Sequence, residues 1–154
     1  MPARPAALLP CLLAALLAAA SLGAGPALAW TLERESATTA DGETLALLRF
    51  KNAGSVPVLM IHGFGSNLFE YDLPSKSFAR FLADRGWDVW LANWRRTGTH
   101  GVRSSRRAGY GFDEVAALDL PALVEKVAGS TGERPILLGH SMGAMAIYVY
   151  LEGT

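Results

Sequence analysis

Cysteine is nearly absent from this 154-residue chain: the single thiol is Cys11, close to the N-terminus. One thiol cannot form an intrachain disulfide, and it cannot build a thiolate metal site of the usual multi-cysteine kind. Histidine is scarce too, with three residues, so each one matters to any argument about bases or ligands. Net charge is also missing. Fourteen basic and 14 acidic residues balance, which removes the general electrostatic reason to expect a nucleic-acid partner. Long apolar runs are confined to one place, residues 6–20. The 16 glycines and eight prolines signal many turns without low complexity.

The first 29 residues differ from the rest of the chain. Arg4 supplies a positive start, an Ala- and Leu-rich stretch runs from Ala6 to Ala20, and Gly23, Gly25 and Pro26 break it. Ala27-Leu28-Ala29 then fits the small-x-small pattern of a signal-peptide cleavage site. Residues 1–29 therefore read as a signal peptide cut after Ala29, and the protein as secreted or periplasmic. The rival reading, a retained membrane anchor, is opposed by the shortness of the stretch and by Pro10 inside it. Cys11 lies within the apolar stretch, not after it, which argues against a lipoprotein. Cleavage removes the only cysteine.

From Trp30 onward the pattern alternates. Asp41-Gly42 reads as a turn, Thr44 to Phe50 as a strand, Asn52 to Ser55 as a second turn, and Val56 to Ile61 as a strand buried on both faces. Ser77 caps a helix that carries Phe78, Phe81 and Leu82 and ends at Gly86. Asp88 to Ala92 is the next strand, followed by a Gly- and Arg-rich loop from Asn93 to about Gly111. A helical stretch opens at Asp113 and must break or kink at Pro121. Ser130 to Glu133 is a loop, Ile136 to Leu138 a short buried strand, and Met142 to Leu151 a helix. Strands alternating with helices predict an α/β fold: a mainly parallel sheet with helices on both faces. Such a sheet needs further strands to bury its last one. Residues 30–154 thus read as the N-terminal part of an incomplete domain, truncated after the final helix.

Chemistry concentrates in two motifs. Gly139-His140-Ser141-Met142-Gly143 has the form G-x-S-x-G, directly after a strand and before a helix. On such a tight turn the Ser141 hydroxyl stands above the sheet as a nucleophile, and a Cβ two residues to either side would crowd it. The helix beginning at Met142 aims backbone N–H groups at the same point. The second motif, His62-Gly63-Phe64-Gly65, comes directly after the buried strand. Acyl transfer needs donors for one developing oxyanion, and the backbone N–H groups of Phe64 and Met142 are the candidates. His62 reads as a brace for its loop, not as a base.

Together these motifs resemble the α/β-hydrolase superfamily of serine hydrolases, with an oxyanion loop after one strand and a nucleophile elbow after a later one. More narrowly, residues 112–122 (FDEVAALDLPA) and Asn93-Trp94-Arg95 resemble the gastric and lysosomal acid lipase branch. Arg96 departs from that branch, which usually has Gly there. The resemblance implies a serine hydrolase acting on carboxylic esters, lipase- or esterase-like, with small-molecule or lipid ester substrates and no cofactor or metal.

Such families order their triad as Ser, then Asp or Glu, then His. Only 13 residues come after Ser141; they hold no His and one acid, Glu152, on the nucleophile helix itself. His140 adjoins Ser141, but neighbouring side chains point apart, and His100 reads as a surface residue. The triad acid and base are therefore missing, and this chain alone is expected to turn over little or no ester. Two alternatives stay open: a non-catalytic remnant or binding module, and an acyltransferase or thioesterase of the same fold. Arg95, Arg96, Arg103, Arg106 and Arg107 read as a solvated loop with Arg95 tied to the core, or alternatively as a contact for an anionic substrate or lipid surface. Trp87, Trp90 and Trp94 read as core and rim packing.

Overall fold

The computed structural model describes residues 30–99, 101–106 and 110–153. The signal-peptide reading of residues 1–29, and the readings of His100 and Arg107, lie outside them. Five strands form one sheet: β1 (Thr31–Thr38), β2 (Thr44–Lys51), β3 (Pro57–Ile61), β4 (Asp88–Ala92) and β5 (Ile136–Gly139). Their order in space is β1-β2-β4-β3-β5. β3 pairs parallel with both β4 and β5, whereas β1–β2 and β2–β4 are antiparallel. The expected mainly parallel sheet is thus a mixed one, with an antiparallel edge built from β2 and the unforeseen β1. In Thr31–Thr38 Glu33 and Glu35 are half-buried and Arg34 and Ser36 exposed, so it has no apolar run to announce it.

Sheet pleating explains the core. Along β3, Leu59 and Ile61 enter one buried cluster while Val58 and Met60 enter the other. β4 divides in the same way, Trp90 and Ala92 to one side, Val89 and Leu91 to the other. Central strands with both faces covered read as continuous apolar runs for this reason. Helix α1 (Phe78–Ala83) covers one face through Ala79 and Ala83. The other face is covered by α2 (Leu120–Thr131), through Leu120, Leu123, Val124 and Val127, and by α3 (Met142–Glu152), through Ala146. The Ser77 hydroxyl caps α1 as expected, accepting from the Arg80 N–H at 3.0 Å.

Three local details have physical reasons. Pro121 does not end the helical stretch, but the regular α ladder is interrupted just before it, as expected of a break or kink, and the ring sits in the first turn of α2. A π turn over Val115–Asp119 precedes it and joins it to the helical turn Phe112–Glu114. The Gly- and Arg-rich loop contains a small hairpin that pairs Gly98–Thr99 with Val102–Arg103. Finally, β5 is not the buried strand expected. It lies at the sheet edge with Ile136 exposed, and α3 leaves Met145, Tyr148 and Leu151 exposed beside it. Among the described residues no helix is long and apolar enough to cross a membrane.

Candidate active site

The bend between β5 and α3 holds Ser141 at φ 51° and ψ −118°. That is a rare conformation for a residue with a Cβ, and strain of this kind is held in place by its surroundings. Here the surroundings are the two motif glycines. A methyl group on Gly139 would meet the Ala144 nitrogen at 2.6 Å. One on Gly143 would meet the His62 carbonyl oxygen at 2.6 Å and, closer still, that of Ile61. The elbow is therefore pressed against the end of β3, as the G-x-S-x-G spacing requires. Ser141 itself is exposed. Met142 opens α3, and first-turn N–H groups have no partner within their helix.

Across from the elbow runs the loop after β3. A Cβ on Gly63 would lie 3.0 Å from His140 Nδ1 and 3.4 Å from Ser141 Cβ, so only a glycine backbone approaches this closely with ease. Phe64 comes next, with 72% of its surface exposed. Gly65 turns the chain at φ 74°, and the Ser66 N–H donates to the Gly63 carbonyl at 3.3 Å. Phe64, Ser141 and Met142 thus come together at one end of the sheet, where β3 and β5 finish side by side with Ile61 opposite Gly139.

The histidines separate by role. His62 is fully buried, and its Nδ1–H donates to the Gly63 carbonyl at 2.8 Å. Its Nε2 lies 3.2 Å from Thr97 Oγ1, and its ring leans on Trp94 with centroids 4.2 Å apart. Burial lowers the His62 pKa by more than the Gly63 carbonyl and Glu70 raise it, so the ring is a neutral brace. His140 is engaged elsewhere: its Nδ1 lies 2.6 Å from Glu70 Oε1. Among the described residues, neither imidazole hydrogen-bonds Ser141. Nor is any group of three or more His, Cys, Asp or Glu residues there placed to hold a metal ion.

Behind the site lies a charged network. Arg95 is fully buried, and its Nε and backbone N–H both donate to Asp119 at 2.8 Å. Its two terminal nitrogens donate to Asp41 at 2.8 and 3.1 Å. Asp119 is the last residue of the π turn, so that turn brings the carboxylate to the arginine. Burial pushes the Asp119 pKa up against the pull of Arg95, whereas Arg95 and Thr39 hold Asp41 down at about 2. Arg95 is thus tied to the core as expected, while Arg96, Arg103 and Arg106 are exposed. Trp90 and Trp94 are core residues and Trp87 packs at the rim. Neighbouring Asn93 is buried and links three segments, accepting from the Leu68 N–H at 2.8 Å and donating to the Val102 carbonyl at 3.0 Å.

Sequence reasoning missed Glu70 and Thr97. Neither belongs to a recognised motif, and both act through contacts with residues that do. The Asp41 and Asp119 partners of Arg95 were missed as well: Asp41 lies in a segment that reads as a turn, and Asp119 in the lipase-like segment 112–122, where no single acid stands out.

Comparison with known proteins agrees with this geometry. The sequence is 34% identical over 135 residues to the lipase lipl-3 of Caenorhabditis elegans, matching 76% of this chain and 33% of that protein. It is 34% identical over 128 residues to human gastric triacylglycerol lipase, with 72% and 32% covered. The chain therefore spans about a third of the length of these relatives. Among solved structures, the esterase Pf2001 of Pyrococcus furiosus superposes with a TM-score of 0.63 at 26% identity, over 82% of this chain and 47% of that one. An epoxide hydrolase from Vigna radiata shares the fold at a TM-score of 0.61 and 17% identity, over 79% and 36%. The family model that matches, over residues 58–153, is that of the alpha/beta hydrolases, and its span includes both the loop after β3 and the Ser141 elbow. On that match and this architecture, the chain belongs to the alpha/beta hydrolase family.

Proposed function

We propose that this chain carries the nucleophile and oxyanion hole of a serine hydrolase acting on carboxylic esters, of the lipase or esterase kind. One observation carries the reading: an exposed Ser141 on a positive-φ bend between a parallel strand and a helix N-terminus. In this reading Ser141 Oγ attacks the acyl carbon. The carbonyl oxygen becomes an oxyanion, held by the backbone N–H groups of Phe64 and Met142. Losing one such donor costs on the order of a hundredfold in rate. The exposed side chain of Phe64 offers an apolar surface to an acyl or alcohol group. The gastric lipases and the archaeal esterase among the similar proteins support esters as the substrate class.

Ser141 still needs a base. We propose that a His and its orienting acid come from polypeptide outside these 154 residues, and that this chain alone is close to inactive. The open edge of β5 and the exposed apolar side chains of α3 support this, as does the greater length of the relatives. The leader-like residues 1–29 support an exported protein.

Reading the coding sequence past Thr154 tests the proposal. An Asp or Glu and then a His, in register with further strands, is the expected result. A genuine stop at that point favours the alternative, a fold kept without its chemistry. Ester, thioester and alcohol-acceptor substrates offered to the longest encoded polypeptide, with Ser141→Ala as control, separate hydrolysis from acyl transfer. Activity that survives Ser141→Ala overturns the assignment.

A further inference from the structure

Glu70 lies outside both the 62–65 and the 139–143 motifs. It lies on the short 3₁₀ turn Leu68–Tyr71, which Asn67 caps by accepting from the Phe69 N–H at 3.0 Å. One carboxylate oxygen accepts from the Gly63 N–H at 3.1 Å. The other lies 2.6 Å from His140 Nδ1. Gly63 immediately precedes Phe64, and His140 immediately precedes the pair Ser141-Met142. A single side chain therefore joins the residue before one candidate oxyanion donor to the residue before the nucleophile and the second donor. Ser66 bonds the same carboxylate. The turn that carries Glu70 is itself held from behind. Leu68 N–H donates to Asn93, and the Tyr71 hydroxyl donates to the Ile61 carbonyl at 3.0 Å. That carbonyl also accepts the His140 N–H at 3.1 Å.

We propose that Glu70 is a positioning residue: its carboxylate stitches the loop after β3 to the nucleophile elbow and thereby sets the spacing of the Phe64 and Met142 N–H groups. This rests on the serine-hydrolase reading for its catalytic meaning, but the stitch itself is a property of the fold. Without it, Gly63 and His140 face each other with no bond between them. The close approach at Gly63 is then free to open. A carboxylate suits the place because its two oxygens accept in two directions at once. The protonated ring of His140 strengthens the contact as a charge-assisted bond, and the neutral ring retains it when Nδ1 carries the hydrogen. A glutamine can imitate both contacts, with its oxygen on the Gly63 N–H and its amide on an unprotonated Nδ1.

The test compares Glu70→Ala and Glu70→Gln in this chain by ¹H–¹⁵N NMR. The informative amides are Phe64 and Met142, which Glu70 does not touch. Alanine is expected to shift both resonances and to lower their order parameters from the rigid value of about 0.85 toward about 0.6. Glutamine is expected to restore most of the wild-type shifts and order. A thermal melt accompanies each variant, so that unfolding is not mistaken for loosening. Folded Glu70→Ala protein with unchanged Phe64 and Met142 amides overturns the proposal. So does a Glu70→Gln variant as loose as the alanine one. A second arm measures fluorophosphonate labelling of Ser141 in the longest encoded polypeptide. There Glu70→Ala is expected to slow labelling at least tenfold and glutamine to recover it. If the amides respond and Ser141 is never labelled, the hydrolase reading fails and the stitch stands.

Discussion

Replacing Gly143 by alanine puts a methyl group between α3 and the end of β3. The new Cβ would land on the Ile61 carbonyl oxygen and 2.6 Å from that of His62. Both are backbone atoms at the end of a strand paired on both sides, so neither swings away as a flexible side chain could. Relief requires α3 to retreat by about an ångström, which strains the His140 N–H bond to Ile61 at 3.1 Å. Overpacking alone costs up to ~3 kcal/mol, and a weakened buried hydrogen bond adds about 1 kcal/mol. Gly139→Ala meets the same obstacle from the other side, at the Ala144 nitrogen. For a folded region of this size, a loss of about 3 kcal/mol lowers Tm by roughly 10 °C. Gly129 provides the control. It lies within α2, and a Cβ there meets nothing within 4 Å. Gly129→Ala should therefore stabilise by about 0.5–1 kcal/mol through helix propensity alone. Thermal and urea unfolding followed by circular dichroism measures all three variants. A Gly143→Ala protein as stable as the parent would refute the close-packed elbow, and with it the reason given for the motif's second glycine.

The network behind the site has consequences of its own. Arg95→Met strands the buried Asp119 carboxylate and should cost about 3–5 kcal/mol in urea unfolding; Arg95→Lys should rescue little, because one ammonium cannot replace the fork. Arg96 holds φ 65° while exposed, so Arg96→Gly should raise stability by about 0.5–1 kcal/mol, the relief of a left-handed side chain less the entropy glycine adds to the unfolded chain; a lower Tm would contradict it. The lowered pKa of His62 means that the unfolded chain takes up its proton first. Stability should therefore hold above pH ~6.5 and fall, by up to about 1.4 kcal/mol per pH unit, as pH drops below it toward the folded-state value. Unfolding midpoints of the parent and His62→Gln between pH 7.5 and 5 check this, and equal pH slopes would refute it.

Much of this fold was legible in the sequence because burial leaves a plain mark. β3 and β4 are covered on both faces and read as unbroken apolar runs. The Ser141 elbow was legible because its geometry demands glycine at two fixed positions. β1 was not, since this mostly exposed edge strand carries the polar run Glu33 to Ser36 and resembles a loop. β5 was expected to be buried from its composition alone, whereas its edge position depends on which strands surround it. Pro121 shows the limit of a local rule: the ring excludes a regular ladder, but a π turn and a place near the helix start accommodate it. Arg96 is instructive in the opposite way. Its departure from glycine in a resembling family marks a backbone position with positive φ, although Arg gives no hint of one. Glu70 left no trace, because its role depends on two loops meeting in space.

A fluorophosphonate probe reads the reactivity of Ser141 itself. A covalent adduct on Ser141, located by tandem mass spectrometry, is expected when the polypeptide extends far enough to supply a His and an acid, and almost none on this chain alone. An adduct on any other serine, or rapid labelling of Ser141 within these 154 residues, would contradict that expectation.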